Sequence, residues 1–190
     1  MNFLLTLLLL AAPYWEVKSA ADWSDVEISQ LLADSPWAQK MVTSDNKGNF
    51  PPAQVYIASA RPIQLAEQER TRRGKGKSDV IEESALWMED NAGTHIILAI
   101  RVTNITPYSE SKELAALKSS AMRIGRLKLA PTSYFPPSAR DPYLRIAFPR
   151  QVQLSDKKVQ FDLYIPGLAG PFRLAEFPLD PMVVAGKLEL

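Results

Sequence analysis

The feature that most constrains this chain is the alternation of apolar and polar side chains along short segments after residue 50. The clearest case is residues 157–165, where every second side chain is apolar before Pro166 and Gly167 end the run. A period of two places alternate side chains on opposite faces of a β-strand. The chain also contains 15 prolines, which interrupt helices and central strands. Many short strands joined by rigid loops are therefore predicted.

The same pattern, bounded by turn residues, predicts further strands. They are residues 54–59, 83–88, 94–104, 126–130, 143–148, 172–177 and 183–190, with residues 83–88 and 94–104 joined as a hairpin and residues 131–142 forming a proline-rich loop. Residues 109–120 are rich in helix-forming residues and predict a short surface helix. Half-apolar strands without intervening crossover helices favour a mainly β fold, an antiparallel β-sandwich that is immunoglobulin-like or similar.

A helix with a defined start precedes the strands. Ser24 and Glu27 have the spacing of a capping box, and Trp23 and Ile28 that of a hydrophobic staple. After a break, Ser35 and Pro36 predict a second short helical stretch that continues to residue 43. We therefore divide the chain into a signal peptide at residues 1–21, a helical segment at 22–43 and a β-sandwich domain at 44–190.

The amino terminus carries a largely apolar run of ten residues, from Phe3 to Ala12, six of which are leucine. At helical rise it would span about 15 Å, half of a bilayer core, which suits a signal peptide better than a membrane span. Small residues at Ser19, Ala20 and Ala21 offer a cleavage site. We expect export to the periplasm or the outside of the cell and no stable membrane span after cleavage. An uncleaved anchor and a buried helix are the alternatives.

Composition limits the possible chemistry. The chain has no cysteine and a single histidine, which excludes disulfides, thiol nucleophiles and a multi-histidine metal site within one chain. Its net charge of +1 gives no global attraction for nucleic acid. His95 is the only histidine available as a base, and no nucleophile-elbow motif accompanies it. We predict no cofactor, no metal, no catalytic residue and no nucleic-acid partner.

Several short motifs are spread along the chain after the leader. The opening pattern combines Trp23, a Leu31-Leu32 pair and the sequence Ser35-Pro36-Trp37-Ala38. The later landmarks are Phe148-Pro149-Arg150, residues 156–161 and the closing Gly186-Lys187-Leu188-Glu189-Leu190. Together these motifs resemble a group of uncharacterised exported bacterial proteins, over most of the chain after the leader. The resemblance implies an exported, β-rich single domain and no known activity.

Two segments are candidate binding elements. Residues 70–77 hold five positive charges in eight residues, at Arg70, Arg72, Arg73, Lys75 and Lys77. They predict either a flexible finger for an anionic partner or a solvated loop. The second segment brings Tyr134 and Phe135, together with Tyr143, into a proline-rich region. These aromatic side chains would either contact a partner or cover the core.

The leading functional hypothesis is a non-catalytic extracytoplasmic module that binds an unknown protein or envelope component. The alternative is a domain that binds a small ligand, a glycan or a lipid. A hydrolase of unrecognised type is the third hypothesis, and it requires His95 or a pair of acidic residues in a cleft.

Overall fold

Nine β-strands hydrogen-bond side by side in one antiparallel sheet of the computed structural model, which describes residues 12–43, 50–74, 82–102, 109–138 and 141–190. These nine strands are β1 (Ala38–Thr43), β2 (Ala53–Ile57), β3 (His95–Arg101), β4 (Ala121–Ile124), β5 (Leu127–Leu129), β6 (Ser133–Phe135), β7 (Tyr143–Pro149), β8 (Lys158–Tyr164) and β9 (Phe172–Pro178). Two more strands, β10 (Val183–Val184) and β11 (Lys187–Leu188), lie outside this sheet. The helices are α1 (Tyr14–Val17), α2 (Asp25–Ala33), α3 (Arg61–Arg72), α4 (Glu82–Asn91) and α5 (Glu110–Ser119), with 3-10 turns η1 (Ala20–Asp22) and η2 (Asp180–Met182).

The order across the sheet is β5-β4-β8-β9-β1-β2-β3-β7-β6, and β10 and β11 form a separate hairpin. Strand β1 lies between β2 and β9 and joins two groups of strands into one sheet. The sheet is strongly curled, because α5 lies against both β8 and the edge strand β6, although these two strands are far apart in the strand order.

The main core lies on the inner face of this curl. Val55 on β2, Ile100 on β3 and Leu144 on β7 are paired in register and fully buried or nearly so. Further along the same face, the rings of Phe148 on β7 and Phe161 on β8 are 5.3 Å apart. The two groups of strands therefore pack against each other through the interior of the curl.

Helices α2 and α3 cover the other face of β1 and β2. Ser24 caps α2 through the capping box with Glu27 that the sequence indicates. At the other end of α2, the side chain of Gln54 on β2 donates hydrogen bonds to the carbonyls of Leu32 and Ala33. Since Gln54 and Tyr56 project to the same side of β2, this contact fixes the helices on the face that carries Tyr56.

The mainly β prediction is confirmed, since strand residues outnumber helical residues in the described ranges. A sandwich is not confirmed, because the nine strands form one curled sheet. The helix at 109–120 and the capping box are confirmed by α5 and α2.

Four local predictions are wrong. Residues 131–142, predicted as a loop, contain strand β6, which pairs with β7. Residues 183–190, predicted as one strand, turn back on themselves and form the β10–β11 hairpin. Residues 83–88 lie in helix α4, so the hairpin with β3 does not exist. Residues 38–43 form strand β1 and not a helix, since Ala38 pairs with Tyr56 and Met41 with Ala53.

A buried arginine–tyrosine cluster as the candidate functional site

A row of paired residues crosses the helix-covered face of the sheet. Tyr56 on β2 lies opposite Ala99 on β3, Ala99 opposite Arg145 on β7, and Arg145 opposite Phe135 on β6. Residues that pair directly across antiparallel strands project to the same face. Ala99 has only a methyl group, so the space above β3 is left to the long side chains of Tyr56 and Arg145.

Helix α3 supplies two polar residues above this row. Pro62 at its start suits the first turn of a helix, and Ile63 and Ala66 are buried against the core. Glu67 and Arg70 lie three residues apart and so share one side of the helix. The Tyr56 hydroxyl donates a hydrogen bond of 2.6 Å to Glu67 Oε1, which ties α3 to the sheet.

Arg145 lies at the centre of the group and is 5% exposed. Its Nη1 donates to Asp141 Oδ2 at 2.5 Å and to the Tyr143 carbonyl at 3.4 Å. The guanidinium carbon lies 5.9 Å from the centre of the Tyr143 ring, within cation–π range. The Tyr143 ring in turn meets the Tyr56 ring edge to face, with centroids 5.3 Å apart.

We name the arginine–tyrosine cluster by its six residues, Tyr56, Glu67, Arg70, Asp141, Tyr143 and Arg145. Arg70 joins it because its guanidinium lies close enough to Tyr56, Tyr143 and Glu67 to interact with them electrostatically. Burial alone lowers the pKa of Arg70, but the nearby Tyr56, Tyr143 and Glu67 outweigh it and the pKa is raised. For Arg145 burial likewise lowers the pKa, and Asp141 with Glu67 and Tyr56 raises it overall. Both guanidinium groups therefore stay charged.

The formal charges of the cluster cancel. The two arginines balance the carboxylates of Glu67 and Asp141, and Tyr56 stays neutral because burial and the negative charge of Glu67 raise its pKa well above the usual value. Within the described residues, however, the buried Nε atoms of Arg70 and Arg145 have no hydrogen-bond partner. A buried donor left unpaired costs about 1–3 kcal/mol. The cluster thus holds two buried N–H donors that gain no hydrogen bond from the described protein atoms.

An aromatic platform, consisting of Trp87, His95 and Phe135, borders the same row. The Trp87 ring on α4 lies 5.3 Å from the His95 ring and 5.1 Å from the Phe135 ring. All three side chains are partly exposed. His95 Nδ1 also lies 2.9 Å from Thr94 Oγ1, a hydrogen bond whose donor depends on the imidazole tautomer.

The structure brings together three of the eight residues that the sequence nominated for binding. Arg70 and Tyr143 belong to the arginine–tyrosine cluster, and Phe135 belongs to the aromatic platform. Tyr134, the neighbour of Phe135 on β6, packs against the core.

Two of the remaining basic residues lie at the end of α3, and the other two lie outside the described residues. Arg72 ends α3 and forms a two-atom contact with Glu69. Arg73 follows it and binds Glu69 and Asp25. Lys75 and Lys77 lie outside the described residues.

Sequence reasoning missed Tyr56, Glu67, Trp87 and Arg145. The spacing of Glu67 and Arg70 was the available signal, since it puts both on one side of a helix. Tyr143 and Arg145 alternate with apolar neighbours, a pattern that normally indicates the solvent-exposed face of a strand. Only the covering helix turns that face into a buried site.

The described residues contain no group of three or more acidic or histidine side chains suited to a metal ion. Nor do those ranges include a helix with the length and apolar character that crossing a membrane requires. Comparison of the chain with protein families, with curated proteins and with solved structures found no match in any of the three.

Proposed function

We propose that the protein is a non-catalytic binding module that works outside the cytoplasm and holds a partner protein on its helix-covered face. One observation carries this proposal. Arg70 from the basic segment and Phe135 and Tyr143 from the aromatic segment converge around Arg145. Arginine, tyrosine and tryptophan are the residues enriched in the energetic centres of interfaces.

The chemistry of this face favours a partner that presents a carboxylate beside an apolar or aromatic side chain. The Arg70 side chain, which is partly exposed, would bind the carboxylate. The partly exposed rings of Trp87 and Phe135 would contact the apolar group. Export is supported by the apolar run at the amino terminus.

We also propose that the two groups of strands are arranged as the two layers of an immunoglobulin-like sandwich. It is supported by the contact of Phe148 with Phe161, which joins strands from the two groups across the interior. In this arrangement α3 and α4 pack on the outer face of one group of strands. The hydrophobic core lies between the two groups, as it does between the layers of a sandwich.

The test is crosslinking and affinity capture of the full-length tagged protein from the envelope of its native host, with mass spectrometry of the retained proteins. We expect a stoichiometric partner whose recovery falls about tenfold or more in Arg70→Ala and in Phe135→Ala. Arg126→Ala and Phe172→Ala are matched controls, because both residues are exposed and lie in the β4–β5 turn and on β9. Equal recovery from site variants and controls would contradict the proposed surface.

A small-ligand function is the second candidate, and the aromatic platform favours it. A tryptophan ring that is partly exposed beside two other rings suits stacking on a sugar ring. Thermal-shift screening with envelope glycans and lipids would then show stabilisation that Trp87→Ala abolishes and Phe172→Ala retains. No stabilisation by any of these compounds would remove this candidate.

A further inference from the structure

Residues 13–22, which we call the N-terminal segment, pack against the body of the domain although they lie almost wholly within the predicted leader. They form α1 and η1, and Tyr14, Trp15 and Ala20 lie against the hydrophobic core. Helix α3 contacts η1. A leader that is removed has no reason to be complementary to the domain from which it is cut.

Aromatic side chains make the first part of this contact. The Trp15 ring meets the Trp37 ring edge to face at 5.6 Å, and the Tyr14 ring meets the Trp23 ring at 5.9 Å. Trp37 is 0% exposed and Trp23 is 2% exposed. Removal of Tyr14 and Trp15 would uncover the rings of both buried tryptophans to water, at the cost of apolar burial.

Polar contacts also join the N-terminal segment to the domain. The Tyr14 hydroxyl donates a 2.7 Å hydrogen bond to the Glu27 carbonyl, and Lys18 Nζ lies 2.5 Å from Glu27 Oε1. At the proposed cleavage site itself, Arg73 Nη2 donates to the Ala21 carbonyl at 3.2 Å. The segment is therefore joined to α2 and to the end of α3 by side chains whose positions the fold determines.

From these contacts we propose that the working protein keeps the N-terminal segment and that the chain is not cut after Ala21. This inference does not depend on the binding function proposed above.

The first test is the mass of the protein recovered from the envelope of its native host, compared with that of an Ala21→Leu variant. Leucine in place of Ala21 spoils the small-residue pattern that cleavage requires. We expect both proteins to keep the peptide that contains Tyr14 and Trp15. A wild-type protein that begins at Asp22, beside a longer variant, would overturn the proposal.

The second test measures the stability of the full chain. Because Trp15 is half-buried against the core, Trp15→Ala should lower the melting temperature by about 4–8 °C. Val17→Ala is the matched control, since Val17 lies in the same segment and is 65% exposed. Equal melting temperatures for the two variants would show that the segment is not part of the fold and would overturn the proposal.

Discussion

The sheet contains two ion pairs of the same chemistry in opposite surroundings. On the β4–β8 side, Arg123 and Asp162 lie 2.5 Å apart with side chains 45% and 33% exposed. On the β2–β3–β7 side, Arg145 and Asp141 lie at the same distance with side chains 6% and 15% exposed. Only the second side has α3 above its polar face. An arginine–aspartate pair therefore stays at the surface where one face of the sheet is open, and becomes buried where a helix covers that face.

The strands themselves show the same difference. Strand β8 alternates, with Val159, Phe161 and Leu163 buried and the residues between them partly exposed. Strand β3 is buried on both faces from Ile96 to Ile100. A strand of the first kind can change its polar face freely, whereas in the second kind every side chain has packed neighbours.

The largest effect is expected from removing one partner of the buried pair. Asp141→Ala leaves the guanidinium of Arg145 buried without its carboxylate, and we expect a loss of about 3 kcal/mol in the free energy of unfolding. Asp162→Ala should cost less than about 1 kcal/mol, because its partner Arg123 stays in water. Urea unfolding of both variants measures the difference. Equal losses would show that α3 does not seal the cluster from solvent.

The next effect concerns the space above β3. Ala99→Leu forces three more carbon atoms between Tyr56 and Arg145, and we expect it to destabilise the fold by about 1–3 kcal/mol. Gln160→Leu places the same leucine side chain on the partly exposed face of β8 without adding bulk, and it should change stability by about 0.5 kcal/mol or less. Thermal unfolding of the two variants checks this. If Ala99→Leu were tolerated as well as Gln160→Leu, the row would not be tightly packed.

The smallest effect concerns the hydroxyl of Tyr56. Tyr56→Phe removes its hydrogen bond to Glu67 and should cost about 1 kcal/mol at neutral pH. Because burial raises the folded-state pKa of Tyr56 above its unfolded value of about 10, this residue's contribution is complete below pH 10. It is lost as the pH rises further and the unfolded chain releases the proton. The wild type should therefore lose more stability than Tyr56→Phe between pH 9 and 11, and parallel curves would contradict a neutral, buried phenol.

The fold could be predicted where local chemistry decides the structure. Alternation alone predicts β8, and the spacing of Ser24 and Glu27 predicts the start of α2. By contrast, Trp37, Ala38 and Met41 have a spacing that suits a helix, and pairing with β2 and β9 overrides it. Residues 83–88 contain a short apolar run that fits either a strand or a helix. The helix forms, because it packs Trp87 against His95 and Phe135.

Much less of the candidate site could be predicted. Its residues come from β2, α3, β7 and the turn before β7, and no local pattern indicates that these elements meet. Basic and aromatic composition did indicate Arg70, Phe135 and Tyr143. Arg145 could not be found, since a charged side chain at an alternate strand position normally faces water.

The position of β1 has a consequence for when the chain can fold. Its two neighbours are β2, close in sequence, and β9, close to the other end of the chain. Trp37, just before β1, donates its indole N–H to the carbonyl of Glu189 at 2.7 Å. Pairings this distant in sequence form late and slow the folding of β proteins to milliseconds or longer. During synthesis the sheet therefore cannot be completed until β9 and the residues around Glu189 have been made.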